Sequence, residues 1–333
     1  MKSSVNDFFS GEKDKNIIKK YFDISDKAKM SIGILLNDDI FLSDENLYYV
    51  GSISKIFTSL LVLKIIEKHR IDIHTSVNVF LKLQSGDYPT IYECLTHTSR
   101  DYLAVTLKLI VKNVIRFGVM KKNPYEHVKA DEILKRLEKA RFSDNKNRKY
   151  RYSDLNYAIL AIVLEKIERR NITDLLQDFI ANDLHLKNTY VGNCGNVSRP
   201  ILKGKYLNDW IWNKDNPYIA AGGIVSNVSD MMSFAKTVIN SDLQYIKNAS
   251  IICPESKNPK SKILTTYSFH TYQKSNQLWH VGKMGPFKSM LIINKVIKCA
   301  VITLSNCVGV KKGNASYVCK MLYGNMKRKR DRY

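Results

Sequence analysis

Gly51-Ser52-Ile53-Ser54-Lys55 opens the apolar stretch KIFTSLLVLKIIEK, which contains neither Gly nor Pro and predicts a helix from about Ser52 to Lys68. At about 100° per residue, Ser52 and Lys55 share one face and one turn, while Ser54 points well away. A serine hydroxyl is inert at its own pKa and needs a base beside it to become a nucleophile. The positive end of the helix would stabilise a developing alkoxide. It would also disfavour a protonated lysine, so that together with burial it is expected to push Lys55 toward the neutral amine. Ser-x-x-Lys is also what an N-cap serine followed by a solvated lysine looks like.

Two further groups of residues have the chemistry to join that pair. Tyr152-Ser153-Asp154 precedes the apolar stretch NYAILAIVLEKIE. A tyrosine held near cations can lose its proton or relay one between nucleophile and leaving group, and Asp154 could orient the lysine. The alternative is a packing tyrosine with Ser153 or Asp154 as a helix cap. His280-Val281-Gly282-Lys283 lies within an expected strand. There, Gly282 would let a substrate backbone approach, the strand edge could supply a backbone N–H for an oxyanion, and His280 could hold a carboxylate or assist proton transfer. A half-buried structural histidine fits the same residues.

Taken in order, GSISKIFTSLLVLKIIEK, YECLTHTS, YSDLNYAILAIVLEKIE, AAGGIVSNVSDMMSFA and LWHVGKMGPF…AVITLSN resemble the class C β-lactamase superfamily of penicillin-binding-protein-like serine hydrolases. That superfamily includes DD-carboxypeptidases, family VIII-type esterases and the mitochondrial serine β-lactamase-like protein of animals. The resemblance runs from about residue 30 to residue 310. It implies Ser52 as the acylated nucleophile, Lys55 as its hydrogen-bonded activator and Tyr152 as general base. Asp154 takes the place of the usual Asn or Asp, and His280-Val281-Gly282 that of the Lys-Thr-Gly or His-x-Gly strand. The implied oxyanion hole is the backbone N–H of Ser52 and of Lys283. The implied fold is α/β (α+β), an antiparallel sheet flanked by helices with an all-helical region inserted.

The chain departs from the pattern at several points, among them Lys283 and Met284, before Gly285-Pro286, where glycines usually follow the strand motif. His97-Thr98-Ser99-Arg100 stands where His-Thr-Ser-Gly is usual, so a tight turn has lost its glycine. A histidine in the strand motif makes strong binding of a β-lactam carboxylate doubtful. The expected reaction is acyl transfer from a small-molecule or peptide ester or amide to water, with no metal or organic cofactor. Two other readings stand beside it: a catalytically inactive binding or assembly protein on this fold, and, from the basic charge, a nucleic-acid-binding protein.

The elements that must position these groups follow from periodicity. MSIGILLNDDIFLSD reads as a hairpin around Asn-Asp-Asp. EHVKADEILKRLEKA is amphipathic, and NYAILAIVLEKIERR is apolar enough to be buried. AAGGIVSNVSDMMSFAKTVIN is a Gly-rich bend leading into a helix for which Ser229 is the expected N-cap. LTTYSFHTYQ, QLWHVGKMG, KSMLIINK and KCAVITLSN are β-prone runs, and SYVCKMLYGNM is a closing helix. Strands at both ends suggest a sheet domain of residues 1–75 plus 216–333 and an inserted helical domain of 76–215.

At 333 residues with 44% hydrophobic and 25% charged residues, the chain is of globular composition. Its six cysteines show no CxxC pair, which argues against a zinc site or a disulfide framework and fits a reducing compartment. Cys299, in IKCAVITL, is expected in the core. No apolar run of membrane-spanning length is present, and MKSSVNDFFSGEKDKNIIKKYF lacks the pattern of a secretory signal, so a cytoplasmic location is expected. The net charge of +22 and the KRKRDR tail suggest at most a weak polyanion contact, because no recognition motif organises the basic residues. The lysine-rich stretch from Asp101 to Arg151 matches no part of the pattern and, lying before Tyr152, could wall or cover the site.

Overall fold

In the computed structural model, which describes residues 2–4, 27–99, 122–139, 150–208, 210–256, 262–307 and 315–330, the two ends of the chain build one sheet. The first end supplies β1 (Lys2–Ser4), β2 (Met30–Leu36) and β3 (Asp39–Leu42). Short strands follow: β4 (Tyr48–Tyr49), β5 (Tyr190–Val191), β6 (Ile201–Leu202), β7 (Lys205–Tyr206) and β8 (Ile224–Ser226). The second end supplies β9 (Ile252–Cys253), β10 (Ile263–Thr266), β11 (His270–Tyr272), β12 (Gln277–Met284), β13 (Phe287–Asn294) and β14 (Cys299–Ser305). Among the described residues the main sheet runs β1-β3-β2-β14-β13-β12-β11-β10-β9. All its neighbours are antiparallel except β1 with β3. The β2–β3 hairpin turns at Asn37, whose φ of 54° suits an asparagine.

Seven helices matter to the site: α1 (Ser54–Lys68), α2 (Ile91–Leu95), α3 (Ala130–Lys139), α4 (Asp154–Glu168), α5 (Ile219–Gly222), α6 (Val228–Asn240) and α7 (Ala315–Arg330). Every residue of β14 is buried, because the sheet is covered on both faces. On one face Val318, Cys319, Leu322 and Met326 of α7 pack on Ile32, Met290 and Val301. On the other, Phe57 of α1 stacks on Phe234 of α6 at 4.6 Å. Cys299 is fully buried in β14, as its apolar neighbours imply. Helices α1 and α4 are buried nearly all round, so each reads as apolar along its length, whereas α3 buries only Ile133 and Leu137, one turn apart.

Two local readings of the sequence are corrected. The stretch beginning at Ser52 starts as a 3-10 turn, Gly51–Ile53, with the α-helix following from Ser54. The N-cap of α6 is Asn227, not Ser229: β8 ends at Ser226, and the Asn227 side chain accepts from the Asp230 N–H at 2.9 Å. No described helix is long and apolar enough to cross a membrane. Arg100, residues 101–121 and 140–149, the start of the chain from 5 to 26, and the end of the KRKRDR tail lie outside the described residues.

Candidate active site

The turn that carries Ser52 is held by glycines on two strands of chain. Gly51 has φ +57°, and a Cβ there would lie 2.6 Å from the backbone nitrogen of Lys283. On the facing strand, a Cβ on Gly282 would lie 1.9 Å from the Val50 carbonyl oxygen. That oxygen accepts a 2.7 Å hydrogen bond from the Ser289 hydroxyl, and Ser289 is the cross-strand partner of Gly282. Gly282 therefore admits the protein's own backbone, where the sequence suggested that of a substrate. The outcome is that the peptide of Lys283 lies against the Ser52 turn.

Lys55 is fully buried. Its ammonium donates to the Ser52 hydroxyl at 3.2 Å, to Asp154 at 2.7 Å and to the Ala221 carbonyl at 2.7 Å, which uses all three donors. Burial works to discharge it. Asp154, with help from Tyr152, outweighs burial and holds the Lys55 pKa above its ordinary value. The expectation of a neutral amine is thus reversed, because the carboxylate at 2.7 Å and the Tyr152 phenol together outweigh desolvation. Ser54 is turned away from the site, its hydroxyl accepting from the Ile224 N–H.

Tyr152 joins this pair. The Lys55 ammonium lies 5.1 Å from the centre of its ring, and the Ser52 hydroxyl and Lys55 both favour its phenolate through hydrogen bonding. Desolvation is the larger influence and keeps the phenol above its usual range, although 40% of the residue's surface is open. Asp154 is held from its other side by the Tyr125 hydroxyl, which donates to Oδ2 at 3.2 Å. Tyr125 is thus a residue of the lysine-rich stretch that reaches Asp154. Tyr125 in turn stacks on Tyr218 at 4.3 Å.

Three histidines border the phenol. The His97 ring lies 4.5 Å from that of Tyr152, and its Nδ1 accepts from the Ser153 N–H at 3.2 Å. His280, 3% exposed, lies 6.5 Å from the Tyr152 ring, and His270 lies at 6.3 Å. Burial first, then neighbouring charge, depresses all three. His97 holds φ +57° at the start of the turn that has lost its glycine, and Ser99 there donates to Asn156 at 2.7 Å. A cleft of ≈ 780 Å3 opens beyond the β12–β13 turn, between Phe287, Trp210, Tyr49, Lys122 and Arg199. Ser52 is not one of its walls; Trp210, against which Gly285 packs, links the two regions.

Ser52, Lys55, Tyr152 and Asp154 are thus brought together, with His280, Gly282 and Lys283 on the facing strand. The sequence reading did not pick out Tyr125, His270 or the Ala221 carbonyl, and gave His97 no part in the site. AAGG was the only signal for the carbonyl, and a lone histidine on a β-prone run the only one for His270.

The Beta-lactamase family model matches residues 42–316. "Protein flp" of Staphylococcus aureus strain N315 is 20% identical over 293 residues, covering 83% of this chain and 54% of its own length. "Teichoic acid D-alanine hydrolase" of Staphylococcus aureus is 23% identical over 214 residues, covering 62% of this chain and 50% of its own. The chain spans about half the length of these curated relatives. Among solved structures, a D-stereospecific amidohydrolase from Streptomyces sp. superposes with a TM-score of 0.73 at 17% identity, covering 92% of this chain and 96% of that one. At that identity the likeness speaks for the fold.

Proposed function

The chain belongs to the Beta-lactamase family, and from that premise we propose that it is a serine hydrolase acting through an acyl-enzyme on an ester or amide. The observation that carries this is the three-way contact of Lys55 with the Ser52 hydroxyl at 3.2 Å and the Asp154 carboxylate at 2.7 Å, beside the Tyr152 phenol.

Ser52 attacks the carbonyl carbon, and its proton passes to Tyr152 in the phenolate form. Lys55, charged throughout, stabilises that phenolate and does not itself act as the base. The backbone N–H groups of Ser52 and Lys283 bind the tetrahedral oxyanion, each worth on the order of 3 kcal/mol in other serine hydrolases. Tyr152 then protonates the leaving group, and water releases the acyl group from Ser52 by the same path in reverse. The names of the relatives, a teichoic acid D-alanine hydrolase and a D-stereospecific amidohydrolase, put D-alanine conjugates and amides of D configuration first among substrates to assay.

A fluorophosphonate probe tests the reading. Wild type is expected to be labelled, and Ser52→Ala to lose the label. A folded wild-type protein that takes no label would instead be a binding protein on this fold, and steeply salt-dependent retention of nucleic acid would favour the basic-partner reading.

A further inference from the structure

β11 brings to the site a histidine that belongs to none of the motifs. His270 is 9% exposed, and its Nδ1 is buried with no hydrogen-bond partner among the described residues. A buried polar atom left unpaired is destabilising, a cost that a bound hydrogen-bonding group would offset. The His270 ring lies 4.8 Å from that of His280 and 4.8 Å from that of Trp279. Two imidazoles therefore stand against each other at the edge of the phenol. Their hydrogen-bonding states differ. His280 Nδ1 lies 3.0 Å from the Val281 carbonyl oxygen, which can only accept, so Nδ1 carries the proton and Nε2 is left as an acceptor.

Resting on the acyl-transfer reading above, we propose that His270 and His280 form an uncharged substrate-positioning subsite. It takes a neutral hydrogen-bonding group of the acyl donor, an amide or a hydroxyl, and discriminates against an ionised carboxylate. The titratable and charged groups around His270 are Lys55 on α1, His280 on β12, His97 beyond α2 and Tyr152 ahead of α4. With Tyr152 resting as the neutral phenol, none of these is an anion that would favour an imidazolium, and the charge of Lys55 is already matched by Asp154. Burial, then Lys55, lowers His270 to about 4. At pH 7 such a group is protonated at roughly one part in a thousand. A carboxylate placed there would meet no positive imidazole, whereas an amide or hydroxyl would find both a lone pair and an unpaired ring nitrogen.

The decisive measurement does not depend on turnover. In Ser52→Ala protein carrying 15N-labelled imidazoles, N-acetyl-D-alaninamide at pH 7 is expected to shift the His270 and His280 ring resonances, and acetate to leave them in place. A shift toward imidazolium on adding acetate would overturn the proposal, and so would two resonances that ignore the amide. Kinetics supply the second arm. His270→Phe is expected to raise KM for an amide-bearing nitrophenyl ester about tenfold. His270→Gln should restore most of the loss, and the matched succinyl ester should change little. Equal losses on both esters would reduce His270 to a packing residue. Failure of Ser52 to react with the fluorophosphonate would sink the acyl-transfer reading alone, since the imidazole resonances report binding whether or not acylation occurs.

Discussion

The carboxylate of Asp154, 2.7 Å from the Lys55 ammonium, decides which group serves as the base in the proposed mechanism. With Lys55 held charged and the Tyr152 phenol held above its usual range, the reactive form in the proposed mechanism is a minor phenolate population. After subtraction of the Ser52→Ala background, kcat/KM is expected to climb with pH from neutrality into the range where tyrosine titrates. A plateau centred near neutral pH would assign the proton to another group. Tyr152→Phe is expected to cut turnover at least about a hundredfold in steady-state assays. Asp154→Asn leaves a fully buried ammonium without its counter-charge, a change that costs on the order of 3 kcal/mol by urea unfolding. Because the folded pKa of Lys55 lies above its ordinary 10.5, the stabilisation is whole below that pH and is lost only as pH rises through the folded value. The gap between Asp154→Asn and wild type is therefore expected to persist through neutral pH. Ser52 and Lys55 were legible as a pair because a helical turn joins residues three apart. Tyr125 and His270 were not, since no spacing along the chain announces a side chain delivered from a loop or from a strand on the far side of the site.

Elements with a clear period were read well, and their ends less so. The strands of the last third and the apolar helices α1 and α4 could be placed from alternation and from apolar runs. The cap of α6 could not, because Asn227 and Ser229 are both good capping residues and only the end of β8 chooses between them. Gly282 is a subtler case. The sequence marked it as a point of close approach, and what approaches is Val50, with 1.9 Å between its carbonyl oxygen and any added Cβ. Gly282→Ala must push β12 and the Ser52 turn apart. It is expected to destabilise the fold by about 1–3 kcal/mol in thermal unfolding and to lose fluorophosphonate labelling even where the protein stays folded. Retained labelling at the wild-type rate would show that the two backbones have room to spare.

At the scale of the molecule, the sheet needs a cover on each face, and α7 is one of them. Val318, Leu322 and Met326 are each buried to within 2% on Ile32, Met290 and Val301. At about 1.5–3 kcal/mol for each such side chain, their loss is comparable to the whole stability of an ordinary domain. A chain cut before Ala315 is expected to appear in the insoluble fraction on expression, and a soluble, labelled product would contradict the role given to this helix. Gly51, whose neighbour is the Lys283 amide, has a consequence of a different kind. On the proposed acyl-transfer mechanism, one oxyanion donor is made early during synthesis and its companion late, and neither forms a hole without the other. A polypeptide still emerging from the ribosome thus carries its nucleophile for most of the time it is being made, yet cannot use it until β12 has docked.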